Sequence, residues 1–262
     1  MLCRVGKVWG VAMSDLANHK NDLVLSYTRV RVALGLLGMS LPVILVLGGL
    51  LDTPRPEIGR PDIEPTISDF YHTTYRDIFV GTLCAIGVFL ISYRGYRRDK
   101  GEWIDDDWLA TIAGLAAFGV AFFPNEAGGG AVVSMTQQLL GPDVTPVLHY
   151  SFAGVFFAAL AGFCFFKFPR NARPHRRRVY LACGWMILAA LLLTTIAVTF
   201  KRVIGGPGRD FVLEYNLIFW FEALGIWAFG LSWLVKSKSD LLLARAVVPA
   251  KVEVEDDDSV LP

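Results

Sequence analysis

Charged residues are scarce in this chain of 262 residues. They make up 19% of it, whereas about a quarter of the residues in a typical soluble domain are charged. This scarcity, together with a hydrophobic content of 54%, excludes a soluble globular enzyme and a disordered chain. The formal net charge of +1 lacks the basic excess of a nucleic-acid-binding protein, so we expect no nucleic-acid partner.

Cysteine is also scarce, and its spacing matches no known ligand pattern. Cys84, Cys164 and Cys183 lie inside apolar blocks, and Cys3 lies near the start. This pattern excludes a secreted disulfide scaffold and a zinc knuckle. We expect the cysteines to act as small side chains that face lipid or the protein core. An internal repeat, which inverted-repeat transporters show, is missing as well.

What the chain has instead is six apolar blocks, each long enough to cross a bilayer as a helix. They are residues 32–51, 77–93, 108–124, 147–166, 179–200 and 215–235. Because backbone polar groups in hydrocarbon must be bonded within their own segment, the blocks predict an all-α, polytopic membrane bundle of six transmembrane helices. The predicted domains are a cytosolic N-terminal segment (1–29), the transmembrane domain (30–236) and a partly disordered, acidic cytosolic tail (237–262).

Lys and Arg predict the orientation of this bundle. Basic residues concentrate in segments 1–31, 94–100, 167–178 and 236–251, and segment 125–146 has none. Cytosolic loops carry the excess of Lys and Arg, so both termini are expected inside the cell. We therefore predict a multi-pass protein of the bacterial inner (plasma) membrane, N-in and C-in. We expect no cleavable leader before the first block, and Met13 offers an alternative start to Met1.

Three loop segments have patterns of their own. The Pro-rich stretch before Thr66 breaks any helix until Thr66 or Ser68 can cap a new one. Segment 125–146 predicts a short amphipathic helix over the mouth of the bundle, with the preceding glycines as a hinge. The run "RPHRRR" at 173–178 either binds anionic lipid head groups or serves only as a topology signal.

Two polar residues lie inside apolar blocks near their predicted outer ends. Glu222 is the only acid well inside any block, and His149 begins the fourth. A buried acid needs a partner or a proton, so Glu222 is either a structural interhelical hydrogen bond or part of a functional site. His149 is likewise either an interface residue bonded to a carbonyl or a functional group.

A polar stripe precedes the second block. If a helix starts near Thr66, Ser68, His72 and Arg76 recur every four residues on one face, and Asp69 joins them. The stripe is either an exposed overhang with intrahelical ion pairs or one wall of a polar cavity.

Polar residues of other blocks fall at the same depth, which favours the cavity. The predicted extracytosolic cavity comprises Ser68, Asp69, His72, Arg76, Asn125, Glu126, His149, Asn216 and Glu222. Two chemistries fit it. His72, His149 and a carboxylate are able to hold zinc with an activated water, while Arg76 holds a head-group phosphate or carboxylate. Alternatively, the cavity binds a lipid head group or a partner protein without any metal.

Several of these motifs resemble known families. "SDFYHTTYRD" before the second block, "FFPNE" at the end of the third and the His opening the fourth resemble a family of uncharacterised bacterial six-span membrane proteins, a domain of unknown function distantly like DRAM-type proteins. The resemblance implies a membrane location and six helices, with no established activity. A weaker likeness is to the CREST membrane hydrolases, whose Ser-x-x-x-His motif resembles Ser68 and His72. The last block here has no His.

The sequence therefore supports three functional hypotheses. The first is a non-catalytic membrane protein whose outer cavity binds membrane lipid or a membrane protein partner. The second is a metal-dependent membrane hydrolase of a lipid amide or ester, with zinc as its cofactor. The third is a proton-coupled carrier that uses Glu222 and His149.

Overall fold

The computed structural model describes residues 28–51, 63–95, 104–126, 134–170 and 172–247, with side chains as far as Lys238. The predicted hinge glycines at 128–130, the N-terminal segment before Thr28 and the end of the acidic tail after Val247 lie outside these residues.

The described part of the chain is all-α. Its α-helices are α1 (Thr28–Leu51), α2 (Arg76–Ile91), α3 (Asp106–Phe122), α4 (Met135–Leu140), α5 (Val144–Gly162), α6 (Pro174–Thr199), α7 (Gly206–Glu214) and α8 (Leu217–Val247). A 3-10 helix (Ser68–His72) precedes α2, and π-helical turns extend α5 (Phe163–Lys167) and α6 (Phe200–Ile204). The predicted all-α fold is confirmed.

Four of these helices are long and apolar enough to cross a membrane. They are Thr28–Leu51, Val144–Lys167, Pro174–Ile204 and Leu217–Lys238, the second and third including their π-helical turns. The remaining two predicted spans correspond to α2, with 16 residues, and α3, with 17. These two helices pack along each other, and α3 also packs along α5. The chain is therefore an all-α membrane protein with four candidate spanning helices.

Helices α1 and α2 run antiparallel. Tyr75, just before α2, donates its hydroxyl hydrogen to the carbonyl of Gly48 near the end of α1, at 2.9 Å. At the other end of the same pair, Arg31 near the start of α1 donates to the Tyr93 hydroxyl after α2, also at 2.9 Å. The bundle thus has two ends. We call the one formed by residues 63–75, 123–126 and 215–218 the site end, and the one that holds Arg31 and Tyr93 the opposite end.

The structure corrects the continuous helix predicted from Thr66 through Arg76. The 3-10 helix stops at His72, and Thr73 is extended with φ −113° and ψ 179°. The Thr73 hydroxyl donates to the Phe70 carbonyl at 2.9 Å and accepts the N–H of Tyr75 at 3.1 Å. A threonine side chain that bonds the backbone in this way competes with helical hydrogen bonds. Ser68, His72 and Arg76 consequently do not form one helical stripe.

The short helix expected in segment 125–146 is α4. Ser134 caps its N-terminus by accepting the N–H of Gln137 at 3.1 Å. Gly141, with φ 88°, ends the helix in a conformation that side chains with a Cβ rarely adopt. The last helix, α8, extends through Val247. It therefore continues into the segment that the sequence assigned to the tail, which was expected to start at residue 237.

Candidate functional site

A serine and a histidine from distant parts of the chain meet at the site end. Nε2 of His149, on α5, lies 2.9 Å from the Oγ of Ser68, in the 3-10 helix. Nδ1 of the same ring lies 2.7 Å from the backbone carbonyl oxygen of Phe123, just after α3. A carbonyl oxygen only accepts, so Nδ1 carries the hydrogen, and Nε2 of the neutral ring is free to accept the hydrogen of the Ser68 hydroxyl. The three elements are tied together by this relay.

The sequence explains why the Phe123 carbonyl is available. Pro124 follows it, and the residue before a proline is disfavoured in the helical conformation. Phe123 is accordingly extended, with φ −101° and ψ 103°, and its carbonyl oxygen points to His149 instead of to a next turn of helix. His149 itself is 1% exposed, so both ring nitrogens need protein partners and have them.

Glu222 of α8 joins the same region through the backbone. One of its carboxyl oxygens, Oε2, accepts the N–H of Ile67 at 2.7 Å. About one helical turn earlier on α8, Phe219 donates its N–H to the Pro65 carbonyl at 3.0 Å. These two bonds fix the segment before α2 on α8. Glu222 therefore has the hydrogen-bond partner that an acid inside an apolar block requires.

Ser68, His149 and Glu222 line one cavity of about 200 Å³. Tyr150, Thr194 and Thr195 contribute the other polar groups of its lining. The rest of the lining is apolar and comes from α1, α2, α3, α5, α6 and α8, with small residues on α5 and α6 leaving the space: Ala153, Gly154 and Ala190. The cavity thus has mostly apolar walls and a few polar groups, of which Ser68 lies in the segment at the site end and His149 and Glu222 bond to that segment.

A second group of the predicted residues forms a separate polar chain beside the cavity. Nε2 of His72 lies 3.1 Å from Oδ1 of Asn125. The Asn125 amide donates in turn to Oδ1 of Asp69 at 2.6 Å, and Oδ2 of Asp69 lies 3.6 Å from the Lys201 ammonium. The carboxyl group of Asp69 therefore links the amide of Asn125 to the ammonium group of Lys201.

The remaining predicted residues lie in other settings. Glu126 pairs with Arg202 and accepts the Tyr150 hydroxyl hydrogen at 2.9 Å. Arg76 donates to the Tyr71 carbonyl at 2.6 Å and lies over the Tyr71 ring, so it does not line the cavity. Asn216 joins α7 to α8 with φ 46°, and its carbonyl accepts the N–H of Trp220.

The zinc hypothesis stays a prediction. Among the described residues, no group of three or more His, Cys, Asp or Glu side chains lies close enough together to hold a metal ion. His72 and His149, the two proposed ligands, hydrogen bond to Asn125 and to Ser68 and Phe123, respectively.

Sequence reasoning missed three groups of the site. The first is Lys201 and Arg202, which directly follow the fifth apolar block and to which sequence reasoning assigned no part of the cavity. Tyr150, next to His149, bonds Glu126 and accepts from Arg202 at 2.8 Å. The third group is the Phe123 carbonyl. A backbone oxygen has no side-chain signature, and the following Pro124 was the one available signal.

The fold and the cavity define a class: an all-α membrane protein whose helices line a largely apolar cavity with a few polar groups. Within that class, the chain belongs to the family described as "Protein of unknown function (DUF998)", which matches residues 43–227. The match runs from α1 into α8 and includes every residue of the predicted cavity, so the resemblance to a domain of unknown function is confirmed. No curated protein and no solved structure matches the chain. The DRAM and CREST likenesses stay predictions.

Proposed function

We propose that the protein binds an amphipathic lipid, with part of its apolar chain in the cavity and its head group at the site end. The observation that carries this proposal is the cavity lining, which is apolar except for six residues: Ser68, His149, Tyr150, Thr194, Thr195 and Glu222. Ligand sites typically combine apolar walls with a few polar groups that orient the ligand. A volume of about 200 Å³ is similar to that of the ~150 Å³ engineered cavity that binds benzene, so it fits a segment of an acyl chain.

The head group would lie among the charged residues next to the cavity. Lys201 and Arg202 are held there by Asp69 and Glu126. Both pairs are partly exposed, so they are weaker than buried pairs and can be exchanged for a polar ligand at little cost. Phosphate or carboxylate oxygens would compete with the two acids for the cations, whereas hydroxyl or amide groups would bond the acids.

The orientation that accompanies this proposal is six spans, N-in and C-in, in a bacterial inner membrane. The packing of α2 and α3 among the longer helices supports six spans. The lack of Lys and Arg in segment 125–146, which contains α4 at the site end, supports an outward-facing site. The lipid would then enter from the outer leaflet.

Filling the cavity tests the binding proposal. A Cβ added to Gly154, which lines the cavity, meets no atom within 4 Å, so Gly154→Leu places a side chain in the cavity without displacing backbone. We expect lipid occupancy, measured by native mass spectrometry after extraction in a mild detergent, to fall about tenfold, which corresponds to about 1.4 kcal/mol.

Gly81→Leu is the matched control. Gly81 also has no atom within 4 Å of an added Cβ, and it does not line the cavity. Its lipid occupancy should equal that of the wild type. Equal occupancy in the Gly154→Leu variant would show that lipid binds elsewhere on the protein and would refute the proposal.

Binding of a partner protein, metal-dependent hydrolysis and proton-coupled transport stay alternative predictions. Elemental mass spectrometry on the wild type, with His72→Ala and His149→Ala beside it, tests the zinc hydrolase, which requires stoichiometric zinc that both variants lose. Proton-driven flux in vesicles that Glu222→Gln abolishes would support the carrier.

A further inference from the structure

We infer that Ser68 is a nucleophile, activated by His149, that cleaves a carboxylic ester of the lipid held in the cavity. The inference rests on the proposed lipid binding, because it assigns a reaction to the same site. It requires no metal ion. Its basis is the relay from the Ser68 hydroxyl through the His149 ring to the Phe123 carbonyl.

The relay sets the tautomer that general-base catalysis needs. The Phe123 carbonyl oxygen, 2.7 Å from Nδ1, keeps the hydrogen on that nitrogen and the lone pair on Nε2. Nε2 then faces the Ser68 hydroxyl at 2.9 Å, within the range over which a base takes a serine proton. The carbonyl takes the place that a carboxylate has in a Ser-His-Asp triad: it orients the ring and, as a hydrogen-bond acceptor, stabilises the positive charge that forms on the ring.

Ser68 differs in its surroundings from other serines of the described helices. Those serines donate to a carbonyl of their own helix, three or four residues earlier: Ser40, Ser151, Ser232 and Ser237. That arrangement gives each hydroxyl an acceptor, but a backbone carbonyl cannot act as the base that takes its proton. Ser68 is instead paired with a histidine that is 81 residues away in the chain, and it lines the cavity.

Ser68 is also held in position. Thr66 accepts the N–H of Asp69 at 2.8 Å, and Glu222 accepts the N–H of Ile67 on the other side. These two bonds fix the backbone on both sides of the nucleophile. A nucleophile that is already oriented loses little entropy on reaction.

The reaction has two balanced steps. The Ser68 oxygen attacks the ester carbonyl carbon while its proton passes to Nε2 of His149. The ester C–O bond breaks, the leaving alcohol takes that proton, and the acyl group stays on Ser68. A water molecule then attacks the acyl carbon, giving its proton to His149, which returns a proton to Ser68 as the fatty acid leaves.

The backbone next to Ser68 offers a donor for the developing oxyanion. The Ile67 N–H points to the cavity region, where it binds an oxygen of Glu222 at 2.7 Å. An oxyanion hole uses backbone N–H groups next to the nucleophile in this way. Before substrate binds, this N–H is bonded to Glu222, so the oxyanion has to displace the carboxyl oxygen. Of the two bonds that fix the backbone around Ser68, only the one between Thr66 and Asp69 then remains. Acylation of Ser68 is the first step of the reaction, and a covalent probe tests it directly.

An alkyl fluorophosphonate is the probe for that step. Ser68 would attack phosphorus, fluoride would leave, and His149 would take the proton, which marks the serine covalently. We expect labelling of the full-length protein in a mild detergent at Ser68, identified by peptide mass spectrometry. Labelling should be absent in Ser68→Ala and at least 100-fold slower in His149→Gln, since a general base contributes about 10²–10⁴-fold.

Ser232→Ala is the matched control, because Ser232 is fully buried, does not line the cavity and donates to a carbonyl of its own helix. It should be labelled at the wild-type rate. A wild-type protein that melts cooperatively and stays unlabelled, or is labelled at another residue, would overturn the inference.

Lipid occupancy in the same samples separates the two proposals. Bound lipid that Gly154→Leu removes, with no label on Ser68, would overturn the inference and leave lipid binding intact. Labelling of Ser68 at equal rates in the wild type and Gly154→Leu, with no bound lipid in either, would support the nucleophile and overturn the lipid as its substrate.

Discussion

At the scale of single residues, the site depends on pairing each buried polar group with a partner of the right kind. Asn125 is the clearest case. It is 2% exposed, its side-chain oxygen faces His72, and its amide donates to Asp69. A side-chain amide has a donor and an acceptor on separate atoms, so neither an aspartate nor a leucine can replace it at equal stability.

Asn125→Asp should therefore destabilise the protein. The change removes the donor to Asp69 and puts two carboxyl groups where the amide nitrogen and Oδ1 of Asp69 are now 2.6 Å apart. We expect a loss of about 1–3 kcal/mol, the cost of leaving a buried group unsatisfied. The measurement is equilibrium unfolding in mixed micelles.

The reversed pair provides the control. In the double variant Asp69→Asn with Asn125→Asp, an amide again faces a carboxyl group, and much of the loss should be recovered. A double variant whose loss equals the sum of the two single losses would show that the two side chains do not interact.

The sequence predicted that His149 and Glu222 lie near the outer ends of their apolar blocks, but it did not predict their hydrogen-bond partners. His149 and Glu222 were recognisable because polar residues are costly in an apolar block. Their partners are a carbonyl of Phe123 and an N–H of Ile67, and every residue except proline has both groups. No pattern of side chains specifies which backbone group will be used.

At the scale of elements, glycine decides how closely two of the helices pack. Gly35 and Gly38 of α1 face Gly230 of α8. A Cβ built on Gly230 lies 2.8 Å from the Gly35 carbonyl oxygen and 3.0 Å from the Met39 nitrogen. Backbone atoms cannot rotate away as side chains do, so the two helices approach closely only because glycine is present.

Gly230→Ala is expected to force α1 and α8 apart and to lower the free energy of unfolding by about 1–3 kcal/mol, as overpacking of a core does. Gly81→Ala is the comparison, since an added Cβ there meets nothing within 4 Å. That change should be neutral or stabilise α2 by about 0.5–1 kcal/mol. Equal melting temperatures of the two variants would contradict the close approach.

The element that sequence periodicity misjudged is the segment around Thr73. The four-residue recurrence of Ser68, His72 and Arg76 indicated one helix, yet Thr73 breaks it through two local hydrogen bonds. The break turns Ser68 towards α5 and lets Arg76 bond the Tyr71 carbonyl. Periodicity reports the spacing of side chains, and it does not report such competition by a hydroxyl.

At the scale of the whole molecule, charge is distributed differently at the two ends. The sequence assigned the basic residues of the opposite end to loops, as orientation signals. The structure buries three of them: Arg31, Lys167 and Lys236. Lys167 pairs with Asp106 at 3.3 Å and donates to the Ile104 carbonyl. Pairing explains how these charges are tolerated, because a buried ion is stable only with partners.

The number of spans is decided by α2 and α3, which are shorter than the four candidate spanning helices. Arg94 lies exposed just after α2, at the opposite end from Ser68. With six spans and the N-terminus inside, Arg94 is cytosolic. If α2 and α3 did not cross the membrane, the whole segment between α1 and α5 would be outside, and Arg94 with it.

Engineered cysteines test the number of spans and the orientation, in a chain whose native cysteines are replaced by alanine. Gln138→Cys, on the exposed face of α4, should react with a membrane-impermeant maleimide in intact cells. Arg94→Cys and Arg177→Cys should react only after permeabilisation, because a charged reagent does not cross the bilayer. Reaction of Arg94→Cys in intact cells beside a protected Arg177→Cys would establish four spans. A protected Gln138→Cys beside a reactive Arg177→Cys would reverse the orientation, and the cavity would then take its lipid from the inner leaflet.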